Sequence, residues 1–291
     1  MNFIIMKFKV NGFSSIFKGG KMTTITISNT KGGTGKTTTA LNLATELSNL
    51  DKKVLLIDLD PQGSLSKSLL GEENLSKYRG IEELLSNTKL DITDFIISTR
   101  LKDVYIIPSH SGLSEISIKL LMSAGFFALK DVLKKIGSAG SPNGFDFILI
   151  DTQPSKNILM LNAFTCSDFV IIPTNPGVYP LMDIVELEQS IKDTAGNSNP
   201  NLSILGVLIT MVQRATVYKQ LEKDLREYFG DKVFKTTISR AAKSEESAVE
   251  GVGVSVIDSK CKLSLEYKSL TEEIIGRLDC HAKARNDEGE L

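Results

Sequence analysis

The chain has 291 residues, of which 41% are apolar, and this length suits one large α/β domain or two modest ones, the single domain being the simpler interpretation. A formal net charge of −1 and an isoelectric point of about 6.2 exclude a global basic field for nucleic acid, so any such contact must be local. Three cysteines without a CxxC pair and two histidines argue against a zinc site or a disulfide framework and fit a reducing cytoplasm, and no apolar run reaches the roughly 18 residues of a membrane span.

The first 21 residues differ in composition from the rest of the chain. They carry four lysines and no acidic residue, with apolar residues scattered among them. Their FIIM run is too short for the apolar region of a secretory signal peptide, and no small-residue cleavage pattern follows. Because Met22 stands directly before the first convincing strand, we interpret residues 1–21 as a disordered extension or as the product of an upstream start codon.

Apolar runs of strand length then alternate with helical patterns, as expected for a parallel sheet flanked by helices. Strands are predicted at residues 23–28, 53–59, 103–108, 145–151, 168–173 and 203–210, with a shorter one at 232–238. Helices are predicted at residues 36–50, 114–136, 180–192, 217–229 and 263–278. Several strands are apolar at consecutive positions, which is typical of strands buried on both faces. The predicted fold class is α/β, a doubly wound, mostly parallel sheet with helices on both faces and a ligand at the carboxyl ends of the strands.

The segment after the first predicted strand reads NTKGGTGKTTTAL, from Asn29 to Leu41, and continues into a helix. This order of strand, glycine loop and helix is that of a phosphate-binding loop, in which backbone N–H groups and the helix N-terminus surround an anion. Lys36 would place its charge on the β and γ phosphates of ATP, and the Thr37 hydroxyl would reach Mg²⁺. The predicted nucleotide-binding residues are Lys31, Gly32, Gly33, Thr34, Gly35, Lys36, Thr37 and Thr38.

The usual pattern GxxxxGK[ST] has glycine where Thr30 stands, so the strict motif fails. The run KGGTGKTT matches a known deviant loop, and on these residues the chain resembles the ParA/MinD group of P-loop ATPases. The stretches KVLLIDLDPQGSLSKSL and FDFILIDTQPS resemble further segments of that group, from Met22 to about Leu278. The resemblance implies an ATPase that uses ATP and Mg²⁺, with one domain over residues 22–280 and a polar tail at 281–291.

Three acidic residues have separate reasons to lie near the phosphates. Asp151 ends a buried strand on the side of the loop, where its carboxylate could hold Mg²⁺ through the water shell of the ion. Asp60 lies just beyond the second strand, and the resemblance implies that it orients the attacking water. Asp58, two residues earlier on the same strand face, is a second candidate contact near the metal. For Asp58 and Asp60 the alternative is a structural role as caps of the helical turn that follows.

A second lysine, Lys31, stands at the head of the loop. In the group that the chain resembles, this lysine reaches the phosphates bound by the partner subunit, so that two ATP molecules lie between two chains. The resemblance therefore implies a homodimer in the ATP state and a catalytic role for Lys31 beside Lys36 and Asp60, comparable with that of an arginine finger. The alternative is a solvated loop lysine. The chain departs from the group at Gln153, where a proline is usual, and at Gly177, where an acid is usual.

The last third of the chain contains a local basic region. Residues 213–243 hold eight Lys and Arg residues against four acids, a net charge of +4, and a dimer would double this patch for phosphate neutralisation on DNA. By comparison with the group, the candidate DNA contacts are Arg214, Lys219, Arg240 and Lys243, although Ala215 fills the position where the group has an arginine. The alternative is that these cations belong to the ordinary solvent-exposed face of a helix.

Two branches of the group are excluded by residues of this chain. Cys166, Cys261 and Cys280 do not provide the cluster ligands of a nitrogenase iron protein, and the tail lacks the basic amphipathic helix of MinD-type proteins, so no membrane binding is expected. The resemblance implies a cytoplasmic, nucleoid-associated ATPase that dimerises with ATP, binds duplex DNA without sequence preference and hydrolyses ATP slowly to segregate plasmid or chromosomal DNA. A centromere-binding ParB-like protein is the implied partner. The alternative is a related ATPase that positions a protein cargo or a surface assembly without binding DNA.

Overall fold

A computed structural model describes residues 22–136, 144–175, 180–213 and 216–288. The strands in these ranges are β1 (Thr23–Ile27), β2 (Val54–Leu59), β3 (Ile97–Ser98), β4 (Val104–Ile107), β5 (Phe147–Thr152), β6 (Phe169–Thr174) and β7 (Ser203–Ile209). They form one seven-stranded sheet with the order β3-β4-β2-β5-β1-β6-β7. The β3–β4 pair is antiparallel and the other pairs are parallel. The predicted α/β class is thus confirmed, and the predictions for residues 1–21 fall outside the described residues.

Helices cover both faces of this sheet. They are α1 (Lys36–Asn49), α2 (Ser64–Leu70), α3 (Ile81–Ser86), α4 (Leu113–Met122), α5 (Ala128–Leu133), α6 (Ile158–Cys166), α7 (Pro180–Asn197), α8 (Thr216–Phe229), α9 (Lys243–Glu250), α10 (Val254–Ile257) and α11 (Lys262–Glu288), with 3₁₀ helices at Glu72–Lys77, Ile92–Phe95 and Gly230–Lys232. Along β2, Leu56 packs with α1 and α11, whereas Leu55 and Ile57 pack with the helices α3 to α6 on the other face. This alternation explains why the strand is apolar at consecutive positions. In the described ranges, the helices lack the length and apolar composition needed to cross a membrane.

The six strands predicted as parallel are confirmed within two residues at either end, but the single helix predicted at 114–136 is wrong. The structure has two helices there, separated by a turn in which Ala124 takes a φ of +54°. Gly125 follows, and its carbonyl accepts a hydrogen bond of 2.9 Å from the side chain of Asn162 in α6. The apolar spacing continued across this turn, so the sequence pattern did not reveal the break.

The short strand predicted at 232–238 is also wrong. Within the described part of the chain, the segment makes one isolated bridge and donates two N–H hydrogen bonds to β7, but it forms no strand. The N–H groups of Lys235 and Thr236 instead donate to the carboxylate of Glu273 in α11, at 2.9 and 3.0 Å. For these two residues a helix side chain, and not a neighbouring strand, is the hydrogen-bond acceptor. That helix continues to Glu288, beyond its predicted end at residue 278 and into the predicted polar tail.

The parallel strands bring their carboxyl ends to one edge of the sheet. In the register of the sheet, Asp151 of β5 is opposite Ile27 of β1 on one side and opposite Asp58 of β2 on the other. The loop between β1 and α1 therefore begins beside two carboxylates. This edge is where open α/β sheets bind ligands.

Candidate nucleotide site

The loop between β1 and α1 has the backbone conformation that its glycines permit. Gly33 and Gly35 have φ values of +68° and +82°, in the left-handed region that other residues rarely adopt. Gly35 is the residue that caps the N-terminus of α1, which begins at Lys36. The positive end of this helix dipole therefore faces the concave side of the loop, as an anion site requires.

Three polar side chains that the sequence analysis did not identify hold this loop against the sheet. Asn29, 2% exposed, accepts from the N–H of Lys31 at 2.9 Å and donates to the Pro173 carbonyl at 2.7 Å. Asn175 donates to the carbonyl of Gly33 at 3.0 Å. Thr210 lies within 2.9 Å of the Thr34 carbonyl, to which its hydroxyl donates. Asn29, Asn175 and Thr210 come just after the carboxyl ends of β1, β6 and β7, a position in the sequence that could have revealed them.

The side chain of Lys36 folds back over the loop. Its ammonium donates to the carbonyl of Lys31 at 3.1 Å, and the residue is only 7% exposed. Burial lowers the pKa of Lys36, while the carboxylates of Asp151 and Asp60 act in the opposite direction. Lys36 thus lies between the loop and the acidic residues, where its charge can meet both.

Thr37 and Asp151 form the oxygen pair expected for a magnesium site. The Thr37 hydroxyl donates to one carboxylate oxygen of Asp151 at 2.7 Å. The other oxygen, Oδ1, is buried and has no hydrogen-bond partner in the described residues. Burial, and then the neighbouring Asp58, raise the pKa of Asp151 to about 8.

These residues fit Mg²⁺. An unpartnered carboxylate oxygen costs free energy, and a cation beside it removes that cost. Within the described residues no group of three or more His, Cys, Asp or Glu side chains could hold a metal ion. Mg²⁺ bound to nucleotide phosphates takes one or two protein oxygens and completes its shell with phosphate and water.

Asp58 and Asp60 have different surroundings. Asp58 is fully buried and already accepts hydrogen bonds on both oxygens, from the N–H of Asp60 and from Ser66. Burial raises its pKa to about 6. Asp60 accepts from the N–H of Gln62 at 2.9 Å through one oxygen. These contacts of Asp58 belong to the local structure at the start of α2, and a metal contact by Asp58 stays a prediction.

Lys31 lies at the head of the loop and is partly exposed. Its ammonium makes no ion pair with a described acidic residue. Gly32 beside it faces Pro154, to which an added Cβ would be 3.9 Å away. Gln153 precedes this proline and accepts through its carbonyl from the N–H of Ser155 at 2.9 Å, so a turn forms without the usual second proline.

Comparisons with known proteins agree with this geometry. A family model described as an AAA domain matches residues 22–204. Over 263 residues the chain is 36% identical to the chromosome partitioning protein ParA of Caulobacter vibrioides, and the match covers 89% of this chain and 97% of that protein. This chain belongs to the ParA family of P-loop ATPases.

Two solved structures share the ParA-type fold of this chain. A plasmid partition protein from Borrelia burgdorferi has a TM-score of 0.70 and 28% identity, over 88% of this chain and 97% of that one. Cobyrinic acid a,c-diamide synthase from Mycobacterium smegmatis, solved with an ATP analogue and magnesium, has a TM-score of 0.74 and 28% identity, over 86% of this chain and 93% of that one.

The candidate DNA contacts of this ParA-family chain are only partly brought together. Lys219 is exposed on α8. Arg240 is also exposed, and its own N–H donates to the Val212 carbonyl at 3.1 Å. Tyr218, next to Lys219, donates at 2.5 Å to the carbonyl of Met211. Lys219 and Arg240 are therefore carried by elements that meet just after β7.

Two other basic residues of that region are paired with acids. Lys243 begins α9 and pairs with Asp258 at 3.1 Å, and Arg226 pairs with Glu222 at 2.7 Å. Arg214 and Ala215, like Gly177, lie outside the described residues. Glu222 is already subtracted in the net charge of +4, but Asp258 lies outside residues 213–243, so its pairing with Lys243 lowers the charge that a phosphate backbone would meet below that count.

Proposed function

We propose that this chain is an ATP-dependent dimerising switch that binds duplex DNA nonspecifically. In this proposal it hydrolyses ATP slowly, and segregates plasmid or chromosomal DNA with a centromere-binding partner of the ParB type. The observation that carries the proposal is the loop itself, which holds Lys36 over the phosphate position and leaves the second lysine, Lys31, without an acidic partner among the described residues. Membership of the ParA family over most of the chain supports it.

ATP and Mg²⁺ would bind at the edge formed by the loop and the ends of β2 and β5. Residues 31–38 would surround the phosphates with backbone N–H groups, and Lys36 would neutralise part of their charge. Thr37 and Asp151 would hold the magnesium ion. When bound, this ion neutralises part of the negative charge on the phosphate oxygens, which lowers their repulsion for each other and for the oxygen of the attacking water. In the absence of a cation, burial disfavours the ionised form of Asp151, and this is the main reason why its pKa is raised.

Lys31 would act across a dimer interface. The charge of a bound triphosphate exceeds what Lys36 supplies, so a cation from a second chain lowers the free energy of the ATP complex and makes the dimer depend on the γ phosphate. A lysine held at its backbone by Asn29, with no ion pair of its own among the described residues, is suited to that task. The proposed interface therefore includes the open side of the loop.

Hydrolysis would require a fixed carboxylate near the γ phosphate. Asp60 uses one carboxylate oxygen for the N–H of Gln62, which leaves the other to accept a proton from the attacking water and orient it for in-line attack. Lys36, whose pKa the Asp60 carboxylate affects, would stabilise charge developing on the phosphate. The reaction would reset the dimer to monomers.

DNA binding would use the exposed cations near the end of β7. Lys219 and Arg240 are the described residues best placed for phosphate contacts, and two copies in a dimer would double them. The test is a titration of duplex DNA against the protein with and without ATP and Mg²⁺, at several salt concentrations. We expect binding that requires ATP and weakens as salt rises.

Variants sharpen this test. Lys219→Glu should weaken DNA binding and reduce its salt dependence, whereas Lys89→Glu, at an exposed lysine just after α3, should leave both unchanged. DNA binding that is the same with and without ATP would contradict the proposed switch. Absence of binding at low salt with ATP present would favour the second candidate, an ATPase that positions a protein cargo without DNA.

A further inference from the structure

A network of buried polar side chains surrounds the backbone of Asp60. Its members are Asp58 at the end of β2, Ser66 in the first turn of α2, and Ser109 just after β4, and all three are fully buried. A buried hydroxyl is costly unless it is hydrogen-bonded, so such a cluster has a structural or functional reason to exist.

Ser66 is the centre of this network. Its N–H and its hydroxyl both donate to the same oxygen of Asp58, at 2.9 and 2.7 Å. The Ser66 oxygen in turn accepts from the N–H of Ser109 at 3.0 Å. The second oxygen of Asp58 accepts from the N–H of Asp60 at 3.0 Å. Ser66 therefore fixes the carboxylate that holds the backbone of Asp60.

Ser109 fixes the same residue from the other side. Its hydroxyl donates to the carbonyl of Asp60 at 2.5 Å, and the N–H of Gly63 donates to that carbonyl at 2.8 Å. Both the N–H and the C=O of Asp60 are thus engaged by groups of the network. The peptide units on either side of Asp60 have little freedom to rotate.

The segment that carries Ser109 is itself anchored. The ring of the next residue, His110, contacts the Glu82 carboxylate through Nδ1 at 2.7 Å and the Leu75 carbonyl through Nε2 at 3.1 Å. Glu82 belongs to α3 and Leu75 to a 3₁₀ helix. Ser109 is therefore a fixed point against which Asp60 can be held.

We propose that Ser66 and Ser109 are positioning residues that hold Asp60 in the geometry needed for hydrolysis, with Asp58 as the carboxylate that links them. This inference rests on the proposed role of Asp60 in orienting the attacking water. An error of about 1 Å in the position of such a group can reduce the rate about a hundredfold, and a fixed supporting shell prevents it. It also accounts for Asp58, whose oxygens are both occupied.

The experiment compares Ser109→Ala and Ser66→Ala with Ser64→Ala, a control at an exposed serine of the same helix. For each variant, ATP affinity is measured with a fluorescent ATP analogue, and kcat is measured in steady-state and single-turnover assays. We expect kcat to fall about tenfold or more in both buried variants with ATP affinity changed by less than about twofold, and no change in the control. Equal kcat for Ser109→Ala and the control would overturn the inference.

A double-variant cycle separates positioning from a general structural effect. If Ser109 acts through Asp60, Ser109→Ala should not lower kcat further in an Asp60→Ala background. The same further loss in that background would refute the positioning role. Hydrogen exchange supplies a second readout, because the Asp60 and Gln62 amides should exchange faster in Ser109→Ala; unchanged exchange would contradict the inference.

The Asp60→Ala variant distinguishes a wrong role for Asp60 from a wrong positioning role for the two serines. If Asp60→Ala hydrolyses ATP like the wild type, the proposed role of Asp60 is refuted, and so is the positioning role of Ser66 and Ser109. If Asp60→Ala loses hydrolysis while Ser66→Ala and Ser109→Ala retain it, only the positioning role is refuted.

Discussion

Replacing Thr210 by valine tests whether the end of β7 holds the phosphate loop in its binding conformation. Thr210 is 2% exposed, and valine has nearly the same shape, so the substitution removes a hydroxyl without opening a cavity. That hydroxyl donates to the carbonyls of Thr34 and Thr174, at 2.9 and 3.0 Å. The Thr174 carbonyl keeps a second donor, the Thr210 N–H at 2.7 Å. The loss therefore falls on the carbonyl of Thr34, in the loop.

The size of the effect follows from that geometry. A buried carbonyl that loses its donor costs about 1–3 kcal/mol. If the free energy needed to order the loop for ATP binding rises by about 1.4 kcal/mol, ATP affinity falls about tenfold. The rest would lower the stability of the nucleotide-free protein, with a decrease in Tm of about 2 °C or more. We therefore expect ATP binding about five- to tenfold weaker, with a modest loss of stability.

The assay is isothermal titration with ATP and Mg²⁺, together with thermal unfolding in the absence of nucleotide. Thr194→Val is the matched control, because the Thr194 hydroxyl donates at 2.9 Å to the Ser190 carbonyl within α7. This control should bind ATP like the wild type. Unchanged ATP affinity in Thr210→Val, with a loss of Tm equal to that of the control, would refute the idea that β7 holds the loop.

Two further predictions concern pH and packing. Burial and Asp58 raise the pKa of Asp151 to about 8. A carboxyl group whose pKa is raised in the folded state stabilises the fold at low pH, and this stability is lost as the pH rises through the folded-state pKa. The Tm of the nucleotide-free protein should therefore fall between about pH 4 and 8. Asp151→Asn should flatten this part of the curve of Tm against pH, and parallel curves for the two proteins would contradict it. Gly206→Ala should lower the free energy of unfolding by about 1–3 kcal/mol in urea titrations, because its Cβ would overlap the ring of Phe234. Gly196→Ala, where a Cβ meets nothing within 4 Å, is the control, and an equal effect of the two would argue against the overlap.

Local sequence signals predicted much of the fold. Strand β2 could be found because its apolar run is buried on both faces, and the phosphate loop because glycine, lysine and threonine follow a strand in an order that has a chemical reason. The break near Gly125 was missed because the apolar spacing continues across it, and the turn is fixed by Asn162, far away in the sequence. The segment at 232–238 has strand composition, but the N–H groups of Lys235 and Thr236 donate to Glu273 of a distant helix.

The candidate site shows the same division. Lys36, Thr37 and Asp151 could be placed from motif and strand position, and the structure brings them together. Asn29 and Thr210 follow the carboxyl ends of β1 and β7, a position that makes them candidates, but only the structure shows which carbonyls of β6 and of the loop they bind. Asp58 was predicted as a metal contact because it shares a strand face with Asp60; the structure adds its hydrogen bonds with Ser66 and the Asp60 N–H, which the sequence could not show.

The mass of the protein in solution tests whether Lys31 acts on the nucleotide of a second chain. Sedimentation velocity would be run on the wild type and on Lys31→Ala with Mg²⁺ and a non-hydrolysable ATP analogue, after titration has established that both bind it. We expect a dimer for the wild type and a monomer for Lys31→Ala at equal saturation. A Lys31→Ala protein that still dimerises with the analogue, or a wild type that remains monomeric with it, would contradict the account.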